Sequence, residues 1–334
     1  VRAVLGLSVV LATAVVGFSE SRVGAVEFFG YGDLDVEALR AELPVRGGDV
    51  WTREKRVLVE RSAEELSGEA VTHVATICCD ENGDRLIFIG LARAVRPPHV
   101  YDAPTGRLRL SRELLRLHAD GDRAIQEAAE RGGEAVQQDN SLGYALTRDP
   151  AVRSVELKVR AYALANADEI FGVLADSSNA RHRAVAADAA GYAEHSREQV
   201  EALLHAVRDP DGEVRNNAIR AIGVLVGSDL ELAVPIDAAP FWALLESGRW
   251  HDRNKALGVL FALTRSREGL VAGEVPASAL AALVECARWR SITHSYFARM
   301  VLGRLAGFEE GDLNGLVRAP GFMDRAVARL AEDR

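Results

Sequence analysis

The sequence predicts an α+β chain: a small β-α-α-β-β unit at the N-terminal end, then an all-α array of stacked helical pairs. Three observations carry this. Up to residue 91, short apolar runs alternate with clusters of Gly, Pro and Asp, the texture of short strands and turns. From Ser111 onward, small and apolar residues recur three and four apart, which is the spacing of one helical face. Finally, the line Asp209–Gly223 (DPDGEVRNNAIRAIG) has a spacing that returns on both sides of it.

The chain can be taken in order. Arg2 is followed by Ala3–Phe18, sixteen residues without a charge. That run is short for a bilayer span and long enough for a signal-peptide core. Small residues at Gly17 and Ser19, or at Ala12 and Ala14, suit cleavage. Residues 1–19 are therefore expected to be a signal peptide or N-terminal anchor, and the protein to be exported, periplasmic or envelope-associated. Val23–Gly30 reads as a strand, and Asp35–Leu43 as a short helix with Val36, Leu39 and Leu43 on one face. Pro44–Asp49 is a loop. Arg53–Leu66 is a second helix, with Val57, Leu58, Ser62 and Leu66 at helical spacing. Val71–Cys78 and Arg85–Leu91 read as strands joined by a hairpin, with Asn82-Gly83 as turn residues tolerant of positive φ.

This order, with Phe28-Phe29-Gly30 after the first strand and Leu43–Asp49 (LPVRGGD) between the helices, resembles a POTRA module over residues 20–95. The resemblance implies an envelope setting and a sheet edge that binds peptides by strand addition.

Residues 96–110 hold three prolines within Pro97–Pro104 and predict an extended linker. Ser111 is placed to cap a helix running to Arg131, Gln137–Leu142 is a polar loop, and no strand is expected beyond residue 111. The helical repeat domain is expected over residues 111–334. Its columns run through His182-Arg183, Ala186, Ala189 and Gly191, then Val214-Arg215, Ala218, Ala221 and Gly223. They continue through Asp252-Arg253, Ala256, Val259 and Phe261, and more faintly through His294-Ser295, Ala298, Val301 and Gly303. Offsets of 32, 38 and 42 residues between Gly191, Gly223, Phe261 and Gly303 suit stacked helical pairs. From Asp149 on, these columns resemble HEAT repeats, including the short HEAT-like repeats of phycobilin lyases. In that family the Arg after Val meets an Asp of its own or the adjacent turn. The resemblance thus implies a structural ladder of Arg183, Arg215 and Arg253 with Asp209 and Asp211. The whole order resembles exported bacterial HEAT-repeat proteins.

Function classes narrow by exclusion. A net charge of −9 with no basic run argues against a nucleic-acid partner. Phosphate-loop, zinc-protease and Gly-x-Ser-x-Gly patterns are absent, and Gly30-Tyr31-Gly32 lacks the third glycine of a dinucleotide loop. His182 and His205 have no third ligand at metal spacing, and Ser141 lies in an ordinary turn, so no metal, cofactor or catalytic residue is expected. Cys78 and Cys79 are neighbours on opposite faces of a strand, and Cys286 is remote; all three are expected to be packing residues. What does stand out is polar: Asn216-Asn217, and one repeat later Trp250, His251, Asp252, Asn254 and Lys255. Asn is a mediocre helix former, so the pair has either a local reason, amides that hold the turn or bond the next helix, or a place in a polar line across repeats that recognises a peptide backbone or polar ligand; the tryptophans also read as core residues between helices. The leading expectation is a non-enzymatic scaffold that binds a protein or peptide, with membrane contact only through an uncleaved N-terminal segment. The alternatives are a HEAT-like lyase acting on a chromophore or large ligand, and an envelope-assembly adapter working through the POTRA-like module.

If residues 1–19 are a cleaved leader, the mature protein begins near Glu20. N-terminal sequencing of protein recovered from its host is expected to find that start, and an intact Val1 in a soluble cytoplasmic fraction would contradict it.

Overall fold

A computed structural model describes residues 22–78, 80, 82–131, 138–228, 230–232, 234–265 and 275–332. The expected leader lies outside these residues, and among the described ones no helix is long and apolar enough to cross a membrane.

The N-terminal unit has the β-α-α-β-β order. Strand β1 (Val23–Phe29) is followed by helices α1 (Val36–Glu42) and α2 (Arg53–Ser67), then by β2 (Val71–Ile77) and β3 (Arg85–Leu91). Asp35 and Thr52 cap the two helices with side-chain oxygens, and Gly68 closes α2 in the left-handed conformation. The sheet order is β1-β3-β2, with β1 parallel and β2 antiparallel to β3. One face (Val26, Phe28, Val74, Ile87, Ile89) packs beneath α1 and α2 with Val59 and Ala63. Three details differ from the sequence reading. The face of α2 that turns inward carries Val59 and Ala63, while Val57 and Leu58 are 52% and 47% exposed. With apolar residues at 57, 58, 59 and 63, two faces compete, and the sheet takes the one that fits its pleat. In the hairpin, Gly83 alone has positive φ; Asn82 instead donates its N–H to Asp80 Oδ1 (2.9 Å) in a longer loop. Cys78 is disulfide-bonded, contrary to its reading as a packing thiol, and Cys79 lies outside the described residues.

Helix α3 (Arg112–Glu130) is capped by Ser111. A two-stranded ribbon, β4 (Gln138–Asp139) with β5 (Leu146–Thr147), then interrupts what the sequence presents as purely helical. The array follows: α4 (Pro150–Ala165), α5 (Ala167–Asp176), α6 (Ala180–Ala190), α7 (Arg197–Ala206), α8 (Gly212–Gly227), α9 (Ala239–Leu244), α10 (Trp250–Leu263), α11 (Ala277–Ala287), α12 (Ile292–Leu305), α13 (Glu310–Leu316) and α14 (Phe322–Glu332). Helices α6, α8, α10 and α12 stack side by side as one layer, and α5, α7, α9 and α11 pack behind them as the other. Small residues set the approach: a Cβ on Gly191 would meet the Cβ of Ala221 on the next helix at 2.9 Å.

The second face of the sheet is not free. Phe29, Ala75, Leu86 and Phe88 belong to the same core as Trp250 and Trp289 of the array. Phe88 is fully buried at the seam, with ring centroids 5.2 Å from Trp250, 4.9 Å from Trp289 and 5.6 Å from His294. Trp289 donates Nε1–H to the Phe28 carbonyl (2.9 Å) and the Arg290 amide donates to Glu27 Oε1 (2.7 Å), which occupies the outer edge of β1. His73 accepts the Trp250 amide on Nδ1 (3.3 Å). Burial holds that imidazole neutral, with His251 and Arg249 adding to the effect and its pKa pushed down to about 4, so Nδ1 stays an acceptor at neutral pH.

The module and the array therefore share one core. Phe88→Ala is expected to cost about 3–5 kcal/mol, as for other buried Phe truncations, and calorimetry should show a single transition at a lower midpoint. Two separate transitions, with one unmoved, would mean that the units fold independently.

Candidate functional site

A guanidinium buried in a helical stack needs a counter-charge and acceptors for its remaining N–H groups. The array supplies a counter-charge and a backbone acceptor by repetition, with Arg253 Nη2 left without a hydrogen-bond partner among the described residues. Arg183 donates from Nε and Nη2 to Asp209 (2.7 and 2.8 Å). Arg215 does the same to Asp252 (3.1 and 2.8 Å), and Arg253 Nη1 reaches Glu285 Oε2 at 3.0 Å. Each arginine also donates to the carbonyl six residues before it: Ser177, Asp209 and Ser247 respectively. All three arginines are at most 3% exposed. Every rung thus joins one repeat to the next. Asp211, placed in the ladder by the sequence reading, caps α8 instead, accepting from the Glu213 and Val214 amides. Asp252, placed in the ligand line, is the fully buried partner of Arg215 and also accepts from Ser247 Oγ (2.7 Å), so no ligand reaches it.

The rim that carries these turns is covered by the chain's own N-terminal third. The last rung, Glu285, accepts the Gly30 amide on Oε2 (2.7 Å) and the Gly32 amide on Oε1 (2.9 Å). Gly30 sits at φ +67°, and a Cβ there would strike the Leu91 carbonyl, so both the conformation and the close approach require glycine. Arg253 also lies 5.0 Å above the Phe29 ring. The proline-rich segment then runs along the rim against the order of the repeats. The Arg96 amide donates to the Glu246 carbonyl and the Tyr101 amide to the Arg208 carbonyl (2.9 and 3.1 Å). Tyr101 O–H binds Asp209 (2.7 Å) and its ring stacks on His205 at 4.4 Å. Gly106 and Leu108 offer their carbonyls to Ser178 and Ser177, and the Leu110 amide donates to His182 Nδ1. Residues 96–110 are extended, as their prolines suggest, but they are a strap laid along the array. Sequence reasoning missed the strap, the Gly30/Gly32 cap and Glu285. One signal was available: Glu27, a lone acid inside the apolar strand VGAVEFF, needed a distant partner.

The remaining polar residues divide. Trp250 is 7% exposed and packs on Phe88, while His251 meets His73 edge-on at 5.0 Å, so both belong to the seam. Asn217 donates to the Ala184 carbonyl of α6 (2.9 Å), fixing one repeat against the next, and Asn216 donates to Asn217 Oδ1 (3.2 Å). Asn254 and Lys255 stand on the open face of the same layer. Burial and the nearby Arg220 push the Lys255 amine down to about 8, and no carboxylate among the described residues pairs with it. Further along that layer Phe297, 40% exposed, stacks on Phe261 at 4.7 Å beside Tyr296. Cys286 is fully buried and burial pushes its thiol up to about 12, which makes it a packing group and a poor nucleophile. Among the described residues no cluster of three or more His, Cys, Asp or Glu side chains is arranged to hold a metal ion.

A family model of HEAT repeats matches residues 167–267, from the start of α5 to just past α10. Among solved structures, a designed armadillo repeat protein aligns at 16% identity over 55% of this chain and 94% of that chain, with a TM-score of 0.36. No curated protein matches the chain. The chain is a helical repeat protein with a small strand-containing unit at its N-terminal end.

Arg215→Ala is expected to lower stability by about 3–5 kcal/mol, because it strands the buried Asp252 carboxylate. Replacing both partners with leucine should cost less than that single change. Urea denaturation measures each; an unchanged midpoint for Arg215→Ala would show that the rung contributes nothing.

Proposed function

We propose that this protein is a non-enzymatic scaffold that holds a protein or peptide along the open face of the α8–α10–α12 layer. The carrying observation is Lys255: a half-buried ammonium beside Arg220, with Asn254 next to it and no paired carboxylate among the described residues. A cation in that state is costly, and an incoming carboxylate supplies the missing charge in a low-dielectric setting. The aromatic group Phe261, Tyr296 and Phe297 gives the apolar half of such a surface. Repeat stacks suit this role because adjacent units extend one continuous face. The occupant is thus a segment carrying an acid beside an aromatic or aliphatic side chain. The turn rim is a poor alternative, since the strap and the N-terminal module already cover it. As part of the same proposal the protein works in the cell envelope, on the strength of the uncharged run Ala3–Phe18.

Selection from a random peptide display library by the full chain tests this. The wild type is expected to enrich acid-plus-aromatic peptides. The double change Asn254→Ala with Lys255→Ala should keep the melting temperature, or raise it, and weaken those peptides by about tenfold or more, the value of a lost charge-assisted hydrogen bond. A variant that binds them equally well would overturn the assignment.

A further inference from the structure

A cavity of about 220 Å³ opens at the other end of the array, between α3, α4, α6 and α8. Leu117, Ile125 and Val155 give it aliphatic walls, and Ile125 at its mouth is 46% exposed. Three carboxylates line it: Asp122, Glu156 and Asp188. Asp188 is matched by Arg220 (3.2 Å) and lies 3.7 Å from His118, which in turn lies 3.7 Å from Asp122. Burial pushes Asp188 up, but His118 and Arg220 hold it below its ordinary range. Glu156 is different. It is 9% exposed, and only its Oε2 is engaged, accepting the Thr147 amide (2.7 Å) and hydroxyl (3.3 Å). Oε1 has no hydrogen-bond partner among the described residues. Burial raises the Glu156 carboxyl above its ordinary range, outweighing the Thr147 hydrogen bonds and the Arg220 charge that pull it down. The three carboxylates exceed the Arg220 charge by two with His118 neutral, and by one with it protonated.

We infer that this cavity binds an alkylammonium group, its stem between Leu117, Ile125 and Val155 and its charged head at Glu156 Oε1. An ammonium is a compact three-donor cation on an aliphatic chain. It satisfies the free carboxylate oxygen while its methylenes cover the aliphatic walls, a division of polarity that lysine stems show on protein surfaces. Water alone would leave those walls hydrated, and an anion would meet the excess of carboxylates. The head group comes from a lysine side chain of another protein or from a free alkyl amine. The site goes beyond the open-face proposal: Arg220 lies near both, but the group invoked here is Glu156 on α4, which has no part in the role given to Lys255 and Asn254.

The test is methyl-resolved NMR of the full chain titrated with n-pentylamine hydrochloride at pH 7, with n-pentanol as the uncharged control. Saturable shifts at Ile125 and Val155 are expected with the amine and not with the alcohol. Glu156→Gln keeps an acceptor for Thr147 and removes the charge, and should weaken the amine by about tenfold or more. Equal binding of pentanol, equal binding by the Gln variant, or no shift at millimolar amine would each overturn the inference. Two further probes separate the sources: a lysine-containing peptide against its Nε-acetylated form, and 1,5-diaminopentane. Tighter binding of the unmodified peptide indicates a protein lysine, tighter binding of the diamine a small amine, and binding of the acetylated peptide as strong as the free one overturns the ammonium assignment.

Discussion

The burial of three arginines governs how this chain is put together. A guanidinium removed from water keeps its charge, so the surrounding structure has to supply a carboxylate and several acceptors in fixed positions. Here each carboxylate comes from the next repeat and each extra acceptor from the turn just before the arginine. The angle between repeats is therefore set by hydrogen bonds in a defined direction, where apolar packing alone would tolerate rotation. The same requirement explains the covered rim. Left open, the turns would admit water to the rungs and weaken them by raising the local dielectric. Tyr101 on Asp209 and the Gly30 and Gly32 amides on Glu285 close that route with groups that themselves need partners.

Polar satisfaction also decides which surfaces are available for binding. The rim, both seam-facing tryptophans and the outer edge of β1 are already engaged within the molecule. Among the described residues two regions of contrasting charge remain: Lys255 on the open face of the helical layer, without a paired carboxylate, and Glu156 in the cavity between α3, α4, α6 and α8.

Much of this was legible in the sequence, and the pattern of what was not is physical. Column spacing located α6, α8, α10 and α12, because helix packing depends on small residues at short range in the chain. The structural role of Arg183, Arg215 and Arg253 followed from the resemblance to HEAT repeats once those columns were aligned. Their partners are only half legible: Asp209 holds as a partner, while Asp211 is a helix cap and Asp252, read as part of the ligand line, is the partner of Arg215. Glu285 bonds to glycines more than 250 residues away, and local spacing holds no information about such a contact. The polar line failed in part for a related reason. Trp250, His251 and Asp252 are polar or amphipathic because they meet Phe88 on β3, His73 on β2 and the ladder residue Arg215, which looks in sequence like a ligand site.

The shared seam also orders events during synthesis. Phe88 is made 162 residues before Trp250 and still earlier than Trp289 and Glu285. At ribosomal rates that interval is roughly 8–30 s, longer than a small sheet takes to form. The sheet can close over α1 and α2 soon after Leu91 emerges, yet Phe29 and Phe88 then point at nothing. For that time the newborn chain shows a flat apolar surface ringed by strand edges, the kind of surface that chaperones shield and that sticks to its own copies at high expression. Slower translation through residues 92–289 lengthens the exposure, so the codons of the repeats bear on the solubility of the module that precedes them.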